Sequence, residues 1–179
     1  PLGLLAVERC ADLIQRAIKL EQQNFLYIKA LGSPWVQFNG HTLNLSHRQI
    51  EILCILALHP HGIGLEELHY ALYGERSVSL KTLKAELSQL RSLLPHSIEP
   101  RIYRLSCEVQ CDFLRAEQSL NANLISSTFS LYKGSFLSKS ESPLLSTWRH
   151  CFDARLSQLI YQIKDIDQLL RIIGQTHDR

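Results

Sequence analysis

The stretch from Ser79 to Pro95, Ser-Leu-Lys-Thr-Leu-Lys-Ala-Glu-Leu-Ser-Gln-Leu-Arg-Ser-Leu-Leu-Pro, separates its side chains into two chemistries when wound as a helix. At about 100° per residue, Leu80, Leu83, Leu87, Leu90 and Leu94 gather on one side and Lys81, Ala85, Ser88, Gln89 and Ser92 on the other. The second face is short, polar and free of acid. Solubility alone tolerates Glu and Asp on such a face. A helix entering a DNA major groove needs small residues for close approach and donors for bases and phosphates. Ordinary amphipathic helices share much of this pattern, so the neighbouring segments must discriminate.

Upstream, Ser46-His-Arg-Gln49 has the spacing of a capping box, in which a serine hydroxyl and a glutamine amide satisfy backbone donors at a helix start. A helix is expected after it, with Ile50, Leu53, Cys54, Ala57 and Leu58 as its apolar stripe and Pro60 and Gly62 ending it. A second helix is expected over Leu65 to Tyr73, with Glu66 and Glu67 in the first turn, where the helix dipole favours anions, and Gly74 closing it. Ser79 caps the third. Downstream, Ile98 to Cys107 reads as a small basic hairpin turning near Pro100, with Tyr103 and Leu105 alternating against Ile102 and Arg104. Before the helices, Phe25 to Leu31 and Trp35 to Phe38 read as strands. Asn39-Gly40 is a type I′ hairpin signal leading into His41 to Leu45. The order is strands, three helices, hairpin, which is that of a winged helix-turn-helix.

Several short motifs in this order resemble a known family. Leu45-Ser-His-Arg-Gln-Ile-Glu-Ile-Leu53, Ala57-Leu-His-Pro-His-Gly62, Leu72-Tyr-Gly-Glu75, Thr82-Leu-Lys-Ala-Glu-Leu-Ser-Gln-Leu-Arg91 and Arg101-Ile-Tyr-Arg-Leu105 are similar to the OmpR-type winged-helix domain of bacterial transcriptional regulators. The likeness is greatest to a group in which that domain follows a GAF sensor domain. The C-terminal segments Phe113 to Leu120, Leu131 to Leu137 and Ser142 to Arg149 resemble the short helical extension after such domains, and more distantly the start of bacterial transcriptional activation domains. Leu4 to Leu20 resembles the last helix of a GAF domain. Together these imply an α+β, mainly helical fold in three parts: a connector helix over 1–24, a winged-helix domain over 25–112 and a helical extension over 113–179. Because Leu4 to Leu20 resembles a connector from a sensor domain, and the chain begins at Pro1 with no methionine anywhere, it is expected to be part of a longer protein with a sensor half. The resemblance departs from the family pattern at Pro100, where wing glycines are usual, and at Gln89, where many relatives have arginine.

Composition is compatible with this reading without deciding it. The chain has 179 residues, 45% of them hydrophobic and 20% charged, and a formal net charge of +2, which permits nucleic-acid binding but does not demand it. The placement of charge is more telling: Lys81, Lys84, Arg91, Arg101 and Arg104 fall close together, with only Glu86 and Glu99 among them. No apolar run reaches the roughly 18 residues of a membrane span, and no cleavable signal pattern opens the chain. The expected location is cytoplasmic, with no membrane partner. Five cysteines without disulfide-framework spacing suit a reducing compartment. Cys107 and Cys111, with His150-Cys151, are the only group that hints at zinc, and small packing side chains explain them as well. No cofactor is expected. The sequence shows no activated nucleophile, facing carboxylate pair or glycine-rich phosphate loop, so catalysis is not expected.

On this reading Lys81, Thr82, Lys84, Ala85, Ser88 and Gln89 face double-stranded DNA. Gln89 reads a base, since a glutamine amide can pair bidentately with adenine; the lysines anchor phosphates, and Ala85 permits approach or touches a thymine methyl. Arg101 at the wing tip reaches the minor groove and Arg104 the DNA backbone. Arg48 is a further phosphate candidate, with bridging to acidic neighbours as its alternative. Glu86 reads as structural. The rival class is a non-enzymatic protein-interaction or dimerisation module on the same scaffold. Leu4, Val7, Ala11, Ile14 and Ile18 in the N-terminal helix, and Leu145 to Ile173 in a last helix over roughly Leu144 to Ile173, repeat at coiled-coil spacing. A homodimer through these terminal helices and RNA polymerase are further candidate partners.

Overall fold

In the computed structural model, which describes residues 24–163, the N-terminal strands form where the pattern places them. β1 is Phe25–Lys29, β2 Trp35–Phe38 and β3 His41–Leu43. Asn39 and Gly40 both take positive φ, 49° and 80°, the geometry a two-residue I′ turn requires. Leu26, Ile28, Val36 and Phe38 are buried on one face of this sheet. β1 stops at Lys29, short of the expected Leu31, because the next two backbone N–H groups leave the ladder. Ala30 and Leu31 donate to the two carboxylate oxygens of buried Asp112 at 2.8 and 3.0 Å. The sheet also has a strand that the sequence reading did not include. A fourth strand, β4 over Glu108–Cys111, pairs parallel to β1, giving the order β3-β2-β1-β4. Cys111 therefore ends a strand of the N-terminal sheet, not of the wing.

Three helices follow. α1 spans His47–Leu58, and both halves of its capping box are present: Gln49 N donates to Ser46 Oγ at 3.2 Å and Ser46 N to Gln49 Oε1 at 3.0 Å. Its buried surface is wider than the expected stripe, taking in Ile52, Ile55 and Leu56, because sheet, helices and C-terminal extension surround it. α2 spans Leu65–Tyr73, and Gly74 closes it with an N–H to Tyr70 O. α3 spans Leu80–Leu93, capped by Ser79 Oγ on Lys81 N. Leu83, Leu87, Leu90 and Leu94 are buried as the periodicity demands, whereas Leu80, in the first turn, stays exposed.

The wing is a hairpin held by single bridges. Ile98 pairs with Leu105, and Ile63, in the loop between α1 and α2, pairs with Tyr103 through bonds of 3.0 and 2.9 Å in both directions. That loop approaches closely only because residue 62 is glycine. At its φ of +94° an added Cβ would lie 2.3 Å from Ile102 Cγ2.

The extension comprises α4 over Asp112–Asn121, α5 over Ile125–Leu131 and α6 over Pro143–Gln162. Residues 132–142 are a connecting segment, so the motif from Leu131 to Leu137 is helical only at its first residue. Phe113, Phe136 and Phe152 are buried and Trp148 packs among them, with ring centroids 4.5–5.3 Å apart in the contacting pairs. These rings belong to the same apolar cluster as α1. Ser142 caps α6 and donates to Ala71 O of α2 at 2.7 Å. Arg149 donates to the carbonyls of Phe136 and Leu137 at 3.2 and 2.7 Å. The expected connector helix, Leu4 to Leu20, and the apolar positions of the last helix beyond residue 163 lie outside the described residues.

Candidate nucleic-acid interface

The leucine stripe of α3 is sunk in the core, which turns the opposite face outward. Lys81, Thr82, Lys84, Ala85, Ser88 and Gln89 are all exposed. Glu86 lies half-buried at the margin, and its enclosed Oε2 has no hydrogen-bond partner among the described residues. No carboxylate is placed on the outward face of the helix.

One flank of α3 meets α1. Gln49, 6% exposed, donates from Nε2 to Gln89 Oε1 at 2.9 Å. The other flank meets the wing. The guanidinium of Arg91 lies over the Tyr103 ring at 5.3 Å, and Tyr103 is the residue bridged to Ile63. Helix, inter-helix loop and hairpin are thus fastened to one another.

At the wing tip Arg101 has φ 74°, the left-handed region that costs a non-glycine residue roughly 1–2 kcal/mol. Pro100 before it supplies the fixed φ of a tight turn, so the glycine-free wing still reverses direction, with Arg101 exposed at its apex. Arg104 is not a free cation. Its Nε and Nη2 donate to the two oxygens of Glu99 at 2.8 and 2.9 Å. The Arg104 hydrogen bond holds the Glu99 carboxyl below its ordinary range, and the same pair raises Arg104.

Arg48 has the acidic neighbour that was its alternative. Its Nη1 lies 2.6 Å from Oε2 of Glu51, which is 1% exposed, and its guanidinium rests 4.7 Å from the Tyr73 ring centroid. These two atoms form no aligned hydrogen bond, so the contact is an ion pair. Glu51 Oε1 also lies 3.5 Å from His47 Nε2 and accepts from Ser140 Oγ. Lys81, Lys84, Arg91 and Arg101 are therefore the cations of this surface that carry no ion pair among the described residues, Arg91 being laid over the Tyr103 ring.

Sequence reasoning read Gln49 only as a cap and did not assign Arg91 or Tyr103 to the site. The alternation through Tyr103 was the available signal for its inward contact. No group of three or more His, Cys, Asp or Glu residues is gathered to hold a metal among the described residues. Burial pushes the Cys111 thiol up to about 12, as befits a packing side chain. No described helix is long and apolar enough to cross a membrane. Surface clefts occur at α4, α5 and α6, lined by residues such as Leu120, Arg155 and Gln158, or Arg115 and Leu131, away from α3.

No family model matches the sequence. The chain is 28% identical over 149 residues to an uncharacterized 47.3 kDa protein in the thcA 5′ region of Rhodococcus erythropolis, across 83% of this chain and 34% of that one. It therefore spans about a third of the length of the curated relative it matches. Among solved structures it is similar to Mycobacterium tuberculosis EmbR in complex with a low affinity phosphopeptide, with a TM-score of 0.54 and 18% identity over 78% of this chain and 44% of EmbR. At that identity the likeness is one of fold: an α+β winged helix with its N-terminal sheet and C-terminal helices.

Proposed function

We propose that this chain is the sequence-specific, double-stranded DNA-binding output part of a bacterial transcriptional regulator, with α3 in the major groove and the wing at the minor groove or backbone. The observation that carries the reading is the outward face of α3. Lys81, Thr82, Lys84, Ala85, Ser88 and Gln89 stand exposed without an acid among them, beside a wing whose apex is Arg101. Lys81 and Lys84 anchor phosphates, Thr82 and Ser88 donate to backbone or base edges, Ala85 permits approach, and Gln89 reads a base. Arg101 enters the minor groove. Arg104, engaged by Glu99 through two of its nitrogens, keeps Nη1 for the DNA backbone. Arg48 is assigned to holding α1.

The same proposal makes the chain non-catalytic and gives it a second copy and RNA polymerase as further partners. The test is duplex binding across a range of salt, followed by selection of bound duplexes from a random pool. Affinity that falls steeply between low and moderate salt, with a recurring sequence in the selected pool, is expected. Salt-independent binding or none would replace this reading with the protein-interaction module.

A further inference from the structure

The amide of Gln89 is oriented before any DNA arrives, and its orientation can be traced bond by bond. The Ser46 backbone N–H is a donor and nothing else, so the Gln49 atom that meets it at 3.0 Å must be the amide oxygen. Gln49 therefore presents its NH₂ to α3. The Gln89 atom that meets this NH₂ at 2.9 Å must be an acceptor, which is Gln89 Oε1. An inverted Gln89 amide would set NH₂ against NH₂. Amide orientation is ordinarily assigned from surroundings. Here the surroundings permit one assignment, because the series ends on a backbone N–H. Gln49 itself is 6% exposed and belongs to the capping box of α1, so it is not free to turn.

We infer that Gln49 makes Gln89 a donor-only reader, selecting a guanine, whose O6 and N7 are adjacent acceptors in the major groove, over the adenine that an unrestrained glutamine would take bidentately. Bidentate pairing with adenine needs the amide oxygen at the base edge to accept from N6 and the nitrogen beside it to donate to N7. With the oxygen drawn back to α1, the NH₂ of Gln89 leads. Guanine offers two acceptors to it; adenine offers N7 and opposes it with the N6 amino group. Gln49 touches no DNA and is a positioning residue.

This inference rests on the proposed major-groove placement of α3, and the experiment separates the two. The full chain and its Gln89→Ala and Gln49→Glu variants are each used to select duplexes from a random pool, with thermal melts as a folding control. Guanine is expected at one position, favoured over adenine by at least about fivefold, and Gln89→Ala should remove that preference while leaving the rest of the site. In Gln49→Glu one carboxylate oxygen still accepts from Ser46 N–H while the other faces Gln89, whose amide must turn. Its oxygen then leads, and the preference should move to a base with a donor, adenine N6 or cytosine N4.

Absence of salt-dependent duplex binding by the unsubstituted chain would refute the groove placement itself. If the chain binds but prefers adenine at the Gln89-dependent position, or if Gln89→Ala leaves the selected site unchanged, the donor-only reading is overturned with the groove placement intact. Guanine preference surviving in a folded Gln49→Glu variant overturns it too. Gln89 is exposed, so the Gln89→Ala comparison and the base chosen by the unsubstituted chain remain decisive if Gln49→Glu does not fold.

Discussion

Replacing Arg48 with alanine separates its two readings, because a phosphate contact and an internal ion pair fail differently. Glu51 is 1% exposed and Arg48 27%. Removing one partner of a fully buried pair costs about 3–5 kcal/mol, mainly because the other charge is stranded. Here part of the guanidinium is already hydrated, and Glu51 keeps Ser140 Oγ and the more distant His47. Both facts lower the cost. Loss of the guanidinium over Tyr73 adds about 0.5–1 kcal/mol. The expected destabilisation is about 2–3 kcal/mol, or about 5–10 °C in melting temperature for a chain of this size.

Urea unfolding measures the first quantity and duplex titration at several salt concentrations the second. Arg48→Ala should lower stability while leaving the slope of log affinity against log salt unchanged. Glu51→Ala should be comparably destabilising, and the double variant much less than additive, because the two charges are removed together. A slope flattened by about one unit with stability preserved would return Arg48 to the DNA contacts and refute the ion-pair account.

Lys84→Ala should weaken binding to all duplexes alike and flatten the salt slope by about one unit, read in the same titrations. At the wing apex, Arg101→Gly should melt higher than Arg101→Ala by an amount corresponding to about 1 kcal/mol, since only glycine accepts a φ of 74° without strain; both should lose the same DNA affinity. Phe113→Ala, at a fully buried ring among Phe136 and Trp148, should cost about 3–5 kcal/mol in urea unfolding. The Glu99–Arg104 tie should respond to acid. Because Glu99 is depressed below its ordinary 4.5 in the folded chain, its contribution is present above that value and lost as pH falls through the lower folded value. Arg104 side-chain NMR signals should shift in that acidic window and be indifferent to pH in Glu99→Gln.

What could be read from the residues was whatever local geometry decides. The capping box, the Asn39-Gly40 turn and the bounds of α2 are set by side chains within four residues of the backbone they serve, and the leucine period of α3 names its buried face directly. β4 escaped because Glu-Val-Gln-Cys is short and bounded by no turn marker, and its partner, Phe25 to Ile28, lies far upstream in sequence. A parallel pairing of that kind needs a long crossover, and no local pattern announces it. The exposure of α3 was legible; the fixed orientation of Gln89 was not, since it depends on a residue 40 positions away whose conspicuous role was to cap another helix. Arg48 and Glu51 were visible as neighbours three apart on a helix, but the burial that makes their pair matter arises only when α6 and its preceding loop close over them.

The N-terminal half of α1 therefore serves two elements that the chain order separates. Glu51 accepts from Ser140, in the loop that Arg149 clamps before α6. Gln49, two residues earlier, holds Gln89 on α3. Between these two bonds lies only helical backbone whose side chains are buried from Gln49 to Leu56, and close-packed helix interiors move as bodies, not by stretching. Ser142 tightens the arrangement by capping α6 while donating to Ala71 of α2. The helical extension is in consequence part of the frame that aims the outward face of α3: the same turn of helix that seats the extension also sets which end of the Gln89 amide points away from the protein.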